Sequence, residues 1–404
     1  MKESLLAIDG GEPVRSAAMP SWPHFDDDEV EAASVVLRSG QVNYWNGDQG
    51  KILEREFADF VGCRQALLLA NGTLALQTAL SALGIGPGDE VIVPCRTFIA
   101  SAGSVFAVGA IPVVVDVDPK SQNLTRETIL PWLTPKTRAI MAVHLAGWPC
   151  EMDELMDLAD EHNLFVIEDC AQAHGATLNG RRVGGLGHAG VFSFCQDKIM
   201  TFGGEGGMLT TNHEQVWKKA WSLRDHGKDQ DLVLAEKPDP GYRWVHSSFG
   251  SNYRLTEMQA AIGRIQLRKL PEWLEIRNRH ASFLRNTLRD LDCLQIFVPP
   301  EHVGHAYYKF YIFLKLGMLA PGWDRQRVMR AISAEGIPVF TGCCSQIQLE
   351  KAFEQFPEIH KRSFANAQNL GDSSLMFQIH PTLKSEDLEH IGEAVKKVLA
   401  GARK

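Results

Sequence analysis

Seven short apolar runs, unbroken rather than alternating, punctuate the first part of this chain: Gln65–Ala70, Glu90–Pro94, Ile111–Val117, Arg138–Leu145, Leu164–Asp169, Ala189–Phe194 and Gly207–Thr211. A strand with one wet face alternates apolar and polar residues, so continuous apolar character means a strand covered on both faces. Helix-period segments lie between the runs. Thr73–Leu83 stops at Gly84, and Cys150–Glu161 carries Glu151, Asp153 and Glu154 in its first turn, where acid complements the helix dipole. Strand and helix in alternation predict an α/β fold around a mostly parallel, seven-stranded sheet.

After the seventh run the pattern changes. Leu255–Leu270 continues into Pro271–Leu291 with little turn signal and predicts two long helices leading away from the sheet. An aromatic strand at Tyr307–Leu316, helices near Trp323–Glu335 and Glu386–Leu399, and a short strand at Ile337–Phe340 predict a smaller α+β domain. The expected division is residues 1–265, a large domain with an N-terminal arm, and residues 266–404, a small C-terminal domain. A chain of 404 residues, 45% hydrophobic, has material for both cores.

Several function classes are excluded early. A net charge of −8 gives no basic patch, so nucleic acid is not an expected partner. Apolar runs such as Ala139–Trp148 are too short and too interrupted to span a bilayer, and the opening MKESLLAIDGGEPVR lacks an apolar signal region, so a cytoplasmic protein without membrane contact is expected. The eight cysteines show no Cys-x-x-Cys spacing and the histidines no ligand spacing, so neither a disulfide framework nor a metal site is expected.

Three segments carry chemistry. In ALLLANGTLALQTAL, Ala66–Leu80, an apolar strand breaks at Asn71-Gly72-Thr73 and runs straight into a helix. Such a junction offers free N–H groups and a helix dipole to an anion, in a cofactor enzyme usually phosphate. In LFVIEDCAQAHGA, Leu164–Ala176, a strand ends on Asp169, followed by Gln172. In AGVFSFCQDKIMTFGGEGGM, Ala189–Met208, a strand delivers Ser193, then Lys198, then a glycine-rich turn. A lysine is by default a solvated surface group, but here it follows a parallel-sheet strand and precedes glycines, where an amine can form a Schiff base with a carbonyl. The turn Gly203–Gly207 lacks the register of a dinucleotide or P-loop motif. In open α/β sheets the carboxyl ends of strands converge on the ligand, so Asn71, Thr97, His144, Asp169 and Ser193 are expected near one another, with His144 lining the site.

Phosphate cradle, carboxylate and amine are together what pyridoxal 5'-phosphate requires: an anchor, a partner that keeps the pyridine nitrogen protonated, and a lysine that holds the aldehyde and moves protons. At these segments the chain resembles the DegT/StrS sugar aminotransferases, of the larger fold-type I group of pyridoxal-phosphate enzymes, from about Pro20 to about Leu399. The resemblance implies that Lys198 and Asp169 are catalytic. It also implies that Gly72, Thr73, Phe98, Gln172 and Ser193 bind the cofactor, with Phe98 stacking on its ring and Gln172 bonding its 3'-oxygen. Asn252, in FGSNYRLTEMQAA, matches a residue that reaches the neighbouring subunit's phosphate, which implies a homodimer with shared active sites. Tyr307, Tyr308 and Lys309, in HAYYKFYIF, match positions that present side chains to the substrate. Where the family usually has His-Pro after the phenylalanine, this chain has Cys195-Gln196-Asp197, a difference of subgroup.

The implied activity is transfer of an amino group from glutamate or glutamine to a keto-sugar, nucleotide-linked, for amino-sugar or polysaccharide biosynthesis. The segment Val339–Phe353 looks somewhat like that of the inosose (cyclitol ketone) aminotransferases, which gives an alternative acceptor. Two further readings come from the same scaffold. A sugar dehydratase carries histidine in place of the lysine, which Lys198 argues against, and a non-catalytic regulator is weakened by intact Lys198 and Asp169.

Overall fold

All seven apolar runs are strands of one sheet in the computed structural model, which describes residues 5–235 and 241–404. They are β1 (Gln65–Leu69), β2 (Glu90–Pro94), β3 (Ile111–Val115), β4 (Thr137–Val143), β5 (Phe165–Asp169), β6 (Ala189–Ser193) and β7 (Gly207–Thr211). The order across the sheet is β1-β7-β6-β5-β4-β2-β3. Only β7 runs antiparallel to its neighbours, β1 and β6. The other pairs are parallel, so β1 to β6 all point their carboxyl ends to the same edge.

Both faces of the sheet are covered, which is why the runs are unbroken. Along β1, Leu67 and Leu69 pack on one side with Leu76, Leu80 and Val91, while Leu68 packs on the other with Phe57, Phe192 and Met208. Each such leucine contributes about 2 kcal/mol relative to an exposed one. The helix Gly72–Ala82 follows β1 after only two residues; the Asn71 side chain caps it, accepting from Leu74 N–H at 2.9 Å.

Two expectations for the later chain are corrected. The two long helices are a single helix, Glu257–Leu288, with Pro271 inside it. Proline removes one ladder hydrogen bond, but the flanks are held by burial in two different clusters. Leu267, Leu270 and Trp273 pack beside the sheet, and Ala281, Leu284 and Leu288 pack in a separate core. The proposed strand Ile337–Phe340 is reduced to one bridge between Phe340 and Met376. Its partner is a strand not anticipated from sequence, Ser374–Gln378, which joins Lys309–Leu314 and Leu294–Gln295 in a small antiparallel sheet. The second core unites this sheet with the helices Arg325–Ala334 and Ser385–Ala402 and with Leu6 from the N-terminal arm. Ile347, Phe353 and Phe364 pack instead against the large sheet, tying the later chain to it. Among the described residues no helix is long and apolar enough to cross a membrane.

Candidate active site

The carboxyl edge of the sheet opens into a cavity of about 920 Å³. Its floor is built by strand ends: Asn71, Gly72 and Thr73 after β1, Thr97 and Phe98 after β2, Val143 at the end of β4, Asp169 on β5, and Ser193 on β6. Gln172 and Lys198 also face it, so the three chemistry-bearing segments meet in one place. The opposite wall comes from the later chain: Tyr308, Lys309, Tyr311, Phe340 and the segment Gly342–Cys344.

Gly72 and Thr73 begin the helix Gly72–Ala82, and first-turn N–H groups have no acceptor within their own helix. Close approach keeps this corner open to a ligand. A Cβ on Gly72 would lie 2.6 Å from the Ser193 Cβ, and one on Gly207 would lie 2.2 Å from the Asn71 carbonyl oxygen. The glycine-rich turn therefore packs on the start of the helix, and of that turn only Glu205 reaches the cavity wall.

Asp169 is buried. Its carboxylate accepts from the Ser101 hydroxyl at 3.1 Å and the Ala171 N–H at 3.2 Å. Burial pushes its pKa up, opposed by those two donors and by the positive charge of Lys198. A carboxylate in this situation lacks a close cation. Ser101 is in turn within 2.9 Å of the Thr97 hydroxyl. Ser101 escaped sequence reasoning because it lies 68 residues from Asp169 and carries no pattern of its own.

Lys198 sits in a tight turn, its N–H donating to the Cys195 carbonyl at 3.1 Å. The Trp22 indole N–H donates to the Lys198 carbonyl at 2.8 Å, so the N-terminal arm helps fix the backbone. The amine lies 5.1 Å from the Tyr308 ring centroid. Beside it, Asp197 accepts from the Tyr308 hydroxyl and lies 3.7 Å from the Lys309 amine. Burial works against the charge of Asp197, but Lys198, the Tyr308 hydroxyl and Lys309 together hold its carboxyl below the usual range. Lys309, largely buried, is lowered to about 8, chiefly by desolvation, with Lys198 and Arg277 adding to the effect and Asp197 opposing it.

Gln172 is oriented by its neighbours: its side-chain oxygen accepts from Ala146 N–H at 2.8 Å, which leaves the amide nitrogen to donate. Ala146 itself has φ 58°, a backbone conformation unusual for alanine. Phe98 is 66% exposed at the cavity mouth.

Three expected residues lie elsewhere. His144 does not line the cavity. It is fully buried behind Asp169, with Nδ1 accepting from Cys150 N–H at 2.9 Å and Nε2 therefore donating to Glu168 at 3.1 Å. Glu168 and Asp169 are consecutive on a strand and point to opposite faces, so the histidine serves the residue turned away from the site. Glu168 also accepts from the N–H groups of Gly184, Leu186 and Gly187 at 2.7–2.8 Å. With those bonds made, His144, Glu168 and Cys170, which cluster within 4.8 Å, form a satisfied structural group. Tyr307 (φ 45°) turns away and stacks on His305 at 4.0 Å, leaving Tyr308 to face the cavity. Asn252 is exposed, bridged to Asp225 and outside the cavity of its own chain.

The residues present fit pyridoxal phosphate: an open cradle of N–H groups, a buried carboxylate short of a cation, and an amine on the same cavity. Sheet order and site define the class, a fold-type I transferase, and solved aminotransferases share this architecture. Residues 23–396 match the DegT/DnrJ/EryC1/StrS aminotransferase family, and the chain belongs to it. An aminotransferase from Psychrobacter cryohalolentis is 48% identical and superposes with a TM-score of 0.93, covering 95% of this chain and 99% of that one. GDP-perosamine synthase of Caulobacter vibrioides is 37% identical over 88% of this chain and 92% of its own length. L-glutamine:2-deoxy-scyllo-inosose aminotransferase of Streptomyces kanamyceticus is 35% identical over 84% and 80%. The protein is an aminotransferase.

Proposed function

We propose that the protein is a pyridoxal-phosphate-dependent aminotransferase that moves an amino group from glutamate or glutamine to the keto group of a nucleotide-linked sugar, for amino-sugar or polysaccharide biosynthesis. The observation that carries this reading is the meeting of Lys198 and Asp169 on one cavity with the Gly72–Thr73 cradle. Bound there, the cofactor would supply an electron sink for the carbon that gains or loses the amino group.

The chain's own residues then have separate tasks. The N–H groups of Gly72 and Thr73 and the hydroxyl of Ser193 hold the phosphate. The Phe98 ring, at the cavity mouth, would stack on the cofactor ring. Asp169, kept in place by Ser101 and Ala171, would keep the cofactor's ring nitrogen protonated, and that positive charge would in turn satisfy the buried carboxylate. Gln172 donates from its amide nitrogen to the 3'-oxygen. Lys198 would hold the cofactor's aldehyde and, with its amine free, would serve as the general base and acid at the donor's α-carbon and the acceptor carbon. Lys309 and Tyr308 approach the substrate from the opposite wall. Residues 1–265 act as the cofactor-binding unit and 266–404 as the small C-terminal unit that presents side chains to the substrate.

A relative acting on GDP-linked sugar supports the nucleotide-linked acceptor. A second reading, an inosose acceptor, is supported by the 35% identical inosose aminotransferase and by Phe340, Gly342, Cys343 and Cys344, which bring the Val339–Phe353 segment onto the cavity wall. Asn252 completes the phosphate site of the other subunit in a homodimer, a role that its exposed position permits. The enzyme works in the cytoplasm.

The test is a half-reaction. Glutamate or glutamine added to cofactor-loaded protein should convert the absorbance of the lysine-linked cofactor to that of the pyridoxamine form. The converted protein should then return to its starting spectrum with the right acceptor, so that nucleotide-linked keto-sugars and inososes can be compared directly. Bound cofactor that responds to neither donor would overturn the reading in favour of a regulatory protein.

A further inference from the structure

Arg96 is a buried charge that the proposed chemistry does not use. It lies two residues beyond β2 and is 1% exposed. Its Nε donates to the Gln122 side-chain oxygen at 2.8 Å, but neither terminal nitrogen has an acceptor among the described residues. The Asp116 carboxylate is already engaged, accepting from the N–H groups of Val117, Asn366 and Ala367 at 2.9–3.0 Å. A guanidinium taken out of water with two idle nitrogens carries a large desolvation cost. Its counter-charge is to be sought outside the chain.

The surroundings indicate where that anion sits. The guanidinium carbon is 5.9 Å from the centroid of the Tyr311 ring. Tyr311, with Thr97 and the segment Gly342–Cys344, bounds one lobe of the large cavity. The ring is locked in place: a Cβ on Gly342 (φ +90°) would come within 2.3 Å of it, and Cys343 N–H donates to the hydroxyl oxygen at 2.8 Å. With that oxygen engaged as acceptor, the hydroxyl keeps its own hydrogen to donate. Burial pushes the Tyr311 pKa up to about 12, so the group remains a donor at any working pH. Lys198 lines the same cavity as Tyr311 and Cys343.

We infer that this lobe is the subsite for a carboxylate of the amino-acid donor, with the Tyr311 hydroxyl donating to it and Arg96 supplying the counter-charge from behind the wall. The hydroxyl supplies a single hydrogen bond and the guanidinium a single positive charge at longer range, a pairing suited to one carboxylate. A diphosphate would need more donors than the lobe offers. The inference rests on the aminotransferase reading and names the part of the donor that this wall recognises.

The experiment is calorimetric titration of the cofactor-loaded protein with glutarate, a dicarboxylate that has no amino group and cannot react, and separately with inorganic pyrophosphate. Glutarate should bind to the wild type and bind about tenfold or more weakly to Arg96→Met. Tyr311→Phe, which deletes one hydroxyl and keeps the ring, should weaken it severalfold. Pyrophosphate binding should be the same in all three proteins. Equal glutarate affinity in folded Arg96→Met and Tyr311→Phe would overturn the inference, as would selective loss of pyrophosphate binding. Failure of the half-reaction in the wild type would instead remove the aminotransferase reading, so the two failures are distinguishable.

Discussion

At the scale of single residues, the site is a set of charges whose environments have been pushed apart. Lys198 needs to exchange protons, and Asp169 needs to keep its carboxylate charged in a buried place. Replacing Lys198 with alanine should abolish the absorbance of the lysine-linked cofactor and lower the half-reaction rate by about 10³-fold or more. Asp169→Asn keeps the shape and removes the charge, so it should retain a lysine-linked cofactor, with its band shifted by loss of the ring-nitrogen proton, while slowing turnover by about 10²-fold or more. Rapid-scanning spectrophotometry separates the two effects.

Lys309 allows a prediction about pH. Its folded pKa, about 8, lies below the ordinary lysine value of 10.5. The folded state therefore gives up its proton first, and the cost of a buried ammonium is present in full below pH 8 and relieved as pH rises towards 10.5. Lys309→Met should be more stable than the wild type below pH 8, by roughly 1–3 kcal/mol. The gap should close by pH 10.5, as measured by denaturant unfolding across the range.

At the scale of elements, the phosphate cradle depends on how closely β7 and β6 approach the start of the helix Gly72–Ala82. Gly207→Ala would press a methyl group into the Asn71 carbonyl at 2.2 Å, and backbone cannot swing aside as a side chain can. A loss of about 1–3 kcal/mol in unfolding free energy and weaker cofactor binding are expected. Gly86→Ala is the control. Its Cβ would meet only the Val108 carbonyl at 3.7 Å, so stability should change by less than about 0.5 kcal/mol.

At the scale of the whole molecule, Asn252 stands outside its own chain's cavity, so its proposed role requires a second subunit. In a shared-site dimer, Lys198→Ala and Asn252→Ala are each impaired alone. Co-expressed, half of the dimers are mixed, and one of the two sites in each mixed dimer is intact. About a quarter of wild-type activity should return. No recovery from purified mixed dimers would place Asn252 outside the site.

Much of this protein could be read along the chain, because the signals involved are local. Unbroken apolar runs require strands covered on both faces, and all seven appear in one sheet; a strand that turns directly into a helix at Asn71-Gly72-Thr73 makes an anion cradle by backbone geometry alone. Lys198, Asp169 and Gln172 sit at strand ends or in the turns that follow them, so their convergence comes with the parallel sheet. What required the tertiary structure was direction and company. Side chains alternate along a strand, so one step decides that Asp169 faces the cavity while Glu168 takes His144 to the other side. A positive φ at Tyr307 similarly turns Tyr308 inward. Pro271 marks a helix break by propensity, yet burial of both flanks keeps one helix running through it. The wall of Tyr311, Gly342 and Cys343, with Arg96 behind it, joins segments more than 200 residues apart in ways that no local pattern encodes, because buried charges choose their partners in space.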